Sequence, residues 1–226
     1  KTARKTYSYF EQFVGDEDNW LPPDNFQELP VELIAHRTSP TNIGLSLLAN
    51  LSACEFGFIN SFYLIERTTK SINTMFKMER FKGHFFNWYD TKTLAHLSSK
   101  YISTVDSGNL AGYLLIMKQG LLAIPDKNIF GSKTFEGLRD TLNVLLDTMK
   151  IDEIKLLNQF KLDIDFACKS NLTEYQDIKY NLEILKKEFY LFIEQFKNNP
   201  NNKAHWWIQI LKAQLERLND DLQIFK

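Results

Sequence analysis

The sequence predicts an all-α fold, in which helical hairpins with a short β-hairpin or loop insertion precede a bundle of long helices. Three observations lead to this prediction. Apolar residues recur at helical spacing along most of the 226 residues. One segment, residues 83–105, interrupts that spacing with aromatic, amide and carboxyl side chains. Glycine becomes rare from residue 131 onwards, where long helical patterns dominate.

A short helix and a long loop begin the chain. Tyr7, Phe10 and Phe13 share one face of the predicted helix. Residues 15–38 then lack periodicity, and a loop of more than about 12–15 residues in a compact domain is usually functional or disordered. Four apolar side chains argue against disorder because they should pack: Trp20, Leu21, Phe26 and Leu29.

Two helices are predicted next. Ser39 is a good N-cap and Pro40 suits the first helical position, so a helix should begin there. Residues 61–79 predict a second helix, with a stripe at helical spacing that consists of Phe62, Ile65, Thr69, Ile72 and Phe76.

Residues 83–105 predict a hairpin or extended loop. Residues 85–89 and 101–105 resemble short strands, and a turn is expected at residues 90–93. A helix is predicted from Ser107 to about Leu122, with Asp106 or Ser107 as its cap.

The second half predicts helices over about 134–149, 153–168, 173–197 and 203–225. Thr173 is a plausible N-cap, and residues 198–202 should separate the last two helices. We therefore divide the chain into residues 1–130, the helical hairpins, and residues 131–226, the bundle.

One internal repeat connects the two helix starts of the first half. Residues 39–48 align with residues 106–115: each has a capping residue, an Asn three positions later, a small residue and a Leu-Leu pair. Such repetition is expected when helical hairpins follow one another around a ring.

Composition excludes several functions. A net charge of -1 offers no basic surface for nucleic acid. No apolar run is long enough to span a membrane. Cys54 and Cys168 are expected to be free thiols, and the four histidines have no metal-ligand spacing, so we predict no metal and no cofactor. The chain begins without Met or an apolar leader and stops within a helical pattern, so we expect a piece of a longer protein.

The loop chemistry suggests a sugar ligand. Carbohydrate sites combine aromatic faces with carboxylates and amides, and residues 87–90 supply Asn, Trp, Tyr and Asp. Strand neighbours point to opposite faces, so either Trp88 with Asp90 or Asn87 with Tyr89 could share a site. The alternative is that Trp88 fills the core.

The predicted helix starts supply further candidates. Asp106 and Asn109 lie where exposed backbone N–H groups can bind a hydroxyl, although Asp106 could simply cap the helix. Arg37 and Asn42 hold the equivalent place in the first repeat, and Arg37 could instead pair with a loop carboxylate. Glycoside chemistry needs two carboxyl groups; the sequence establishes no pair among Asp24, Glu28, Asp90 and Asp106.

Four blocks of the first half together resemble a known family. They are residues 19–28, 35–45, 83–91 and 103–114, in that order. They are similar to the central, glucoamylase-like region of cyclic β-1,2-glucan synthetases. Phe86 and Tyr113 depart from the family pattern, where Tyr and His would be expected.

The resemblance implies a partial (α/α) toroid whose loops contact glucan. It implies a large bacterial parent at the inner membrane, with this region soluble and on the cytoplasmic side. The parent would cyclise β-1,2-glucan by transglycosylation, and the other domains of the same polypeptide would be partners. We assign no catalytic residue to this chain, because the family's acids are expected C-terminal to it, and we expect the chain alone to be inactive.

The predicted substrate contacts are Arg37, Asn42, Trp88, Tyr89, Asp90, Asp106 and Asn109. The alternative function is a non-catalytic helical module that docks neighbouring domains of a large membrane-anchored protein. Its expected sign is an exposed apolar face formed by Trp206, Trp207, Ile210 and Leu211.

Overall fold

A computed structural model describes residues 1–98, 100–126, 130–170, 172, 174–196 and 202–224. The described residues are mainly helical, with small antiparallel strand pairs, which confirms the all-α class. The toroid stays a prediction. The proposed cap at Thr173 and residues 198–201 of the predicted helix break lie outside the described residues.

The helices follow the predicted order closely. Their bounds are α1 Thr2–Phe13, α2 Pro40–Glu55, α3 Ser61–Lys77, α4 Thr104–Leu122, α5 Ser132–Leu146, α6 Ile151–Lys155, α7 Asn158–Lys169, α8 Tyr175–Phe196 and α9 Asn202–Ile224. The predicted helix over 153–168 is two helices, α6 and α7. Ser39 accepts a hydrogen bond from the amide of Asn42 (3.2 Å), as expected of an N-cap.

Among the described residues, six two-residue strands form three antiparallel pairs. Their bounds are β1 Phe26–Gln27, β2 Leu33–Ile34, β3 Arg37–Thr38, β4 Arg80–Phe81, β5 His84–Phe85 and β6 Tyr89–Asp90. The pairs are β1 with β2, β3 with β6, and β4 with β5.

The backbone divides into two compact units. The first, which we call the loop unit, consists of residues 6–52 and 61–127. The second, the bundle unit, consists of residues 1–5, 53–60 and 128–226. The sequence-based division at residue 130 and the nature of each domain stay predictions.

The loop unit has a small core with an unusual buried cation. Its core residues include Leu21, Ile43, Met75, Met78, Phe85, Phe86, Tyr89 and Leu110. Arg67 of α3 is only 2% exposed. Its guanidinium donates to Asn50 Oδ1 (3.0 Å) and to the carbonyl of Phe10 (2.8 Å), so neutral acceptors compensate for its lost hydration.

The buried side of α3 differs from the predicted apolar stripe. Phe62, Ile65 and Phe76 are 42%, 47% and 73% exposed, whereas the buried residues are Leu64, Arg67, Thr68, Ser71, Thr74 and Met75. Polar members of the buried face are held by loop carbonyls: Ser71 donates to Trp20 O (2.8 Å) and Thr74 to Asn19 O (2.7 Å). Ile72 of the stripe packs against the core, whereas Phe62, Ile65 and Phe76 are exposed, so apolar spacing indicated the helix but not its buried face.

The insertion is closer to the predicted extended loop than to the predicted hairpin. The amide of Asn87 donates to Tyr101 O (3.0 Å), but β6 pairs with β3 and α4 begins at Thr104. The cap of α4 is Ser103, which accepts from the amide of Asp106 (3.1 Å), so neither Asp106 nor Ser107 is the cap. In the long loop, Leu21 is buried and the ring of Phe26 lies 4.8 Å from that of Phe13, but Leu29 is 81% exposed.

The bundle unit is built on a continuous apolar core from α5, α7, α8 and α9. It includes Phe135, Leu142, Phe160, Ile164, Phe189, Phe192, Trp207 and Leu211. Trp207 and Leu211 are 8% and 0% exposed, and Trp206 and Ile210 pack against the same core. The docking face expected on α9 is therefore not exposed. Both cysteines are free, as predicted.

Candidate functional site

The β3–β6 pair brings together two distant predicted site segments. Arg37 lies opposite Asp90, and Thr38 lies opposite Tyr89. Side chains alternate across such strands, so Arg37 and Asp90 share one face while Thr38 and Tyr89 share the other. The exposed face therefore carries the charged pair, and the buried face carries the hydroxyl pair.

Arg37 is the centre of a polar and aromatic cluster. Its guanidinium lies 5.2 Å from the centre of the Trp88 ring and donates to Asp24 Oδ2 from Nη2 (3.1 Å) and Nε (3.3 Å). Asn42, at the start of α2, donates to the other oxygen of Asp24 (3.1 Å). We call these four residues the Arg37 cluster: Asp24, Arg37, Asn42 and Trp88.

Asp24 belongs to the Arg37 cluster, although sequence reasoning considered it only as a possible acid. Its carboxylate takes up the ion pair that was the alternative interpretation of Arg37. Its position in the block over residues 19–28 was the available signal, because a carboxylate directly after a Pro-Pro pair in a long loop is a plausible ligand group. The sequence did not indicate that Asp24 forms its ion pair with Arg37.

Asn87 links Trp88 to the start of α4. It is 6% exposed. Oriented to satisfy its neighbours, its amide oxygen accepts from Trp88 Nε1 (2.7 Å) and the Tyr101 hydroxyl (2.5 Å), and its nitrogen donates to Asp106 Oδ2 (2.9 Å). The N–H group of the Trp88 indole is thus held by the buried Asn87 amide. The face of the same indole lies beside the Arg37 guanidinium.

Asp106 is surrounded by donors from two helix starts. Burial of the carboxylate raises its pKa, but hydrogen bonds from the Ser103 and Thr41 side chains, the Thr41 amide and the Ser39 side chain outweigh burial, so the pKa is lowered overall. With the Asn87 donor added, the acceptor sites of a carboxylate are occupied. Asp106 therefore connects the N-termini of α2 and α4.

Asn109 has a related supporting position. Its side chain donates to Thr41 Oγ1 (3.2 Å), one turn of α4 beyond Asp106. Both α4 residues thus contact the first turn of α2 and are held by it.

Asp90 and Tyr89 have different surroundings. Asp90 Oδ1 accepts from the amides of Thr93 (2.7 Å) and Lys92 (3.0 Å), and the Thr93 amide is the main cause of its lowered pKa. Tyr89 is fully buried, and its hydroxyl donates to Glu79 O (2.6 Å) and accepts from the Phe86 amide (2.7 Å). Asp90 lies near the surface, whereas Tyr89 is part of the core.

A buried carboxylate fixes the long loop to the insertion. Asp18 is 4% exposed; it accepts a short hydrogen bond from the Thr91 hydroxyl and lies 2.8 Å from His36 Nδ1. Thr91 also donates its amide to His36 O (3.1 Å). These contacts hold the segments that carry Asp24, Arg37 and Trp88 against one another.

α2 and α4 run parallel in close contact. Successive contacts join Asn109 to Thr41, Tyr113 to Gly44 and Gly120 to Leu51, which is a nearly constant offset along both helices. A methyl group at Gly44 would lie 2.4 Å from Tyr113 Cδ2, so glycine permits the approach. The offset matches that of the internal repeat to within two residues, so the two repeat copies lie side by side.

The described residues contain no group of three or more His, Cys, Asp or Glu side chains arranged to hold a metal ion. Within the same ranges, no helix has both the length and the apolarity that a membrane span requires.

Comparison with known proteins identifies a relative of this chain. No family model matches the chain. A single stretch of 152 residues nevertheless relates it to the glucan synthases. Over that stretch it is 43% identical to the cyclic beta-(1,2)-glucan synthase NdvB of Rhizobium meliloti (strain 1021). The match covers 66% of this chain and 5% of that protein, so the chain spans a small part of its relative.

Proposed function

We propose that this chain supplies part of a glucan-binding surface to a protein that acts on β-1,2-glucan by transglycosylation and cyclisation. The Arg37 cluster is the observation that carries the proposal. An indole, a guanidinium, an amide and a carboxylate are held together in one unit, and this combination suits the apolar face and the hydroxyls of a neutral sugar. The relation to a cyclic β-1,2-glucan synthase supports glucan as the ligand.

Within this proposal the predicted site residues have two roles. Trp88, Arg37, Asn42 and Asp24 contact sugar, and Asp90 adds a carboxylate beside Arg37. Three residues hold the contacting loops instead: Tyr89 is buried in the core, and Asp106 and Asn109 bind the first turn of α2. Asn87 belongs with the second group because it orients the indole of Trp88.

The proposal extends to the larger protein. Its remaining domains would supply the catalytic acids and the bacterial inner-membrane anchor, with this region on the cytoplasmic side. Those domains and a β-1,2-glucan oligosaccharide are the proposed partners.

Titration of β-1,2-linked gluco-oligosaccharides into the chain by calorimetry tests the site. We expect W88A and R37A each to weaken binding about tenfold or more, because stacking and charge-assisted hydrogen bonds are each worth on the order of 1–3 kcal/mol. Trp88→Phe should retain part of the affinity. F76A is the matched control, since Phe76 is a 73% exposed aromatic of the same unit outside the cluster. Equal affinities for wild type and W88A would exclude the proposed surface.

The alternative function, a docking module, is less well supported at its expected place. That hypothesis required an exposed apolar face on α9, and Trp207 and Leu211 are buried. The glucan-binding proposal is therefore preferred.

A further inference from the structure

The β4–β5 hairpin and the end of α3 present aromatic and basic side chains to solvent. Phe76 of α3 and Phe81 of β4 are 73% and 53% exposed. Lys77, Arg80 and Lys82 are exposed beside them in the chain. We call these five residues the hairpin patch. Exposed aromatic rings among charged side chains are typical of a surface that binds another protein or a membrane.

The hairpin has a tight turn with a lysine at its tip. β4 and β5 are joined by Lys82 and Gly83, whose φ angles are 50° and 86°. A type I′ turn requires positive φ at both positions, and Asn, Asp or Gly is usual at the first. Lysine must adopt there a left-handed backbone that its β-carbon disfavours. Such conformations are concentrated at functional positions, so the charge at the tip is the reason we infer for lysine.

Arg80 is held in the hairpin by neutral groups. Its Nη2 donates to Met75 O (2.8 Å). Its guanidinium lies 4.4 Å from the centre of the Phe85 ring and 5.7 Å from that of Phe76. These contacts fix the direction of the side chain and bring it beside an exposed phenylalanine, and they leave its positive charge uncompensated.

The hairpin region has a positive charge although the whole chain has a net charge of -1. Its acidic residue is Glu79, whose carboxylate lies 3.1 Å from Lys100 Nζ. Lys100 therefore balances Glu79, and the three cations of the hairpin patch give the region a charge of +3. An anionic partner complements this charge.

The shape of the hairpin indicates the kind of anionic partner. A methyl group at Gly83 would meet no described atom within 4 Å, so the turn is open to solvent. Small molecules bind in concave pockets, and a projecting turn offers none. Phenylalanine beside lysine and arginine suits the surface of an anionic bilayer, where the rings enter the boundary between headgroups and acyl chains and the cations contact headgroup phosphates.

We propose that the hairpin patch is a peripheral contact site for anionic phospholipid bilayers. Phe76 and Phe81 enter the boundary of the acyl chains, and Lys77, Arg80 and Lys82 bind headgroup phosphates. The contact is weak and reversible, because it consists of a few side chains that each contribute modestly. It holds the loop unit at a membrane surface and does not depend on glucan binding.

Co-sedimentation of the 226-residue chain with lipid vesicles tests the proposal. We expect binding to vesicles of phosphatidylcholine and phosphatidylglycerol, little binding to phosphatidylcholine alone, and weaker binding as salt screens the charges. Lys77→Gln combined with Lys82→Gln should weaken binding about twentyfold, since each cation near an anionic surface contributes about fivefold. Phe81→Ser should weaken it about tenfold through lost burial. Lys82→Arg keeps the charge and should bind as the wild type does.

Matched controls separate the hairpin patch from general effects of charge and hydrophobicity. Lys118→Gln combined with Lys161→Gln removes the same charge at exposed positions outside the patch. Phe166→Ser removes a 62% exposed phenylalanine of α7. Both should bind vesicles as the wild type does. Circular dichroism and Tm verify that each variant is folded.

Three outcomes would overturn the proposal. The first is that the wild type does not bind phosphatidylglycerol vesicles at low salt. The second is equal binding by the wild type and the Lys77→Gln, Lys82→Gln double variant. The third is release from vesicles by millimolar glycerol phosphate, which would assign the patch to a small phosphate ligand. The vesicles contain no glucan, so each result leaves the Arg37 cluster to be judged by its own titration.

Discussion

At the scale of single residues, the hydrogen-bond partners of Asp24 and Asp106 differ, and so do the roles proposed for these two carboxylates. Asp106 accepts from donors at two helix starts and from Asn87, whereas Asp24 has one oxygen toward Arg37 and one toward Asn42. Both are acids in loop contexts that looked alike in the sequence. The identity of the donors differs: those of Asp106 join two helix starts, whereas those of Asp24 belong to loop residues and to the Arg37 cluster.

Asp106→Asn should destabilise the protein by about 2 kcal/mol at pH 7, because hydrogen bonds to a charged group are worth roughly 1.5–3 kcal/mol and the amide also brings a donor toward the Asn87 amide. The lowered pKa of Asp106 means that its contribution is present above the unfolded pKa and is lost as pH falls through the folded pKa. Urea unfolding at pH 7 and pH 3 measures both effects. The exposed Asp126→Asn is the control; a stable Asp106→Asn protein would contradict the connecting role.

Glu188 should make the bundle unit less stable as pH rises. Burial, then a hydrogen bond and repulsion from Asp163, raises its pKa from 4.5 to about 7. A carboxyl group with a raised folded pKa contributes stability that is fully present below the unfolded pKa and is lost as pH rises through the folded pKa. The Tm of the wild type should therefore fall between about pH 4.5 and pH 7.

Glu188→Gln removes this titration and should raise the Tm at pH 8 relative to the wild type, with a smaller difference at pH 5. Glu194→Gln, an exposed position on the same helix, should leave the pH dependence unchanged. Identical Tm–pH profiles for Glu188→Gln and the wild type would show that the Glu188–Asp163 contact does not hold a proton.

At the scale of elements, α3 and α4 show why apolar spacing is an incomplete guide to burial. The α3 face toward the core includes polar side chains, whose hydrogen bonds go to loop carbonyls and Asn50. The α4 outer face is apolar and exposed. In both helices the period of the sequence is helical, but the partner that covers each face comes from another part of the chain. Periodicity is a local property and contains no information about that partner.

Two glycines of the bundle unit, Gly137 and Gly131, should differ in how well they tolerate alanine. A methyl group at Gly137 of α5 would lie 2.0 Å from the carbonyl oxygen of Gly57, which is backbone and cannot move aside. Gly137→Ala should therefore cost about 2–3 kcal/mol of stability by overpacking. Gly131→Ala is the matched control, since its backbone is extended and a methyl group there would meet nothing within 4 Å. Chemical denaturation distinguishes the two; similar losses would contradict the close approach.

At the scale of the whole molecule, two of the four acids that the sequence singled out have surroundings that favour their charged form. Asp90 and Asp106 have lowered pKa values and so are poor proton donors. Glu188 has a raised pKa, but burial and the neighbouring Asp163 carboxylate cause that shift within the bundle unit. The chemistry of glucan cyclisation therefore belongs, in our proposal, to other parts of the larger protein.

The 226-residue chain should accordingly produce no new reducing ends from β-1,2-glucan and no change in glucan chain length. Incubation with linear β-1,2-glucan, followed by chromatography and a reducing-end assay, is the measurement. Asp24→Asn provides the comparison, because any genuine activity that depends on the proposed surface should fall in that variant. Hydrolysis or transfer by the wild type alone would show that an acid pair lies within this chain.

The sequence by itself determined the helical class, the start of α2 at Pro40, the free cysteines and the relation to cyclic β-1,2-glucan synthetases, since each follows from local residue patterns. The tertiary structure decided that β6 pairs with β3, that Ser103 caps α4, that Tyr89 faces inward and that Asp24 binds Arg37. These outcomes depend on which distant loops meet. A side chain's partners are chosen by packing across the fold, and spacing along the chain does not encode them.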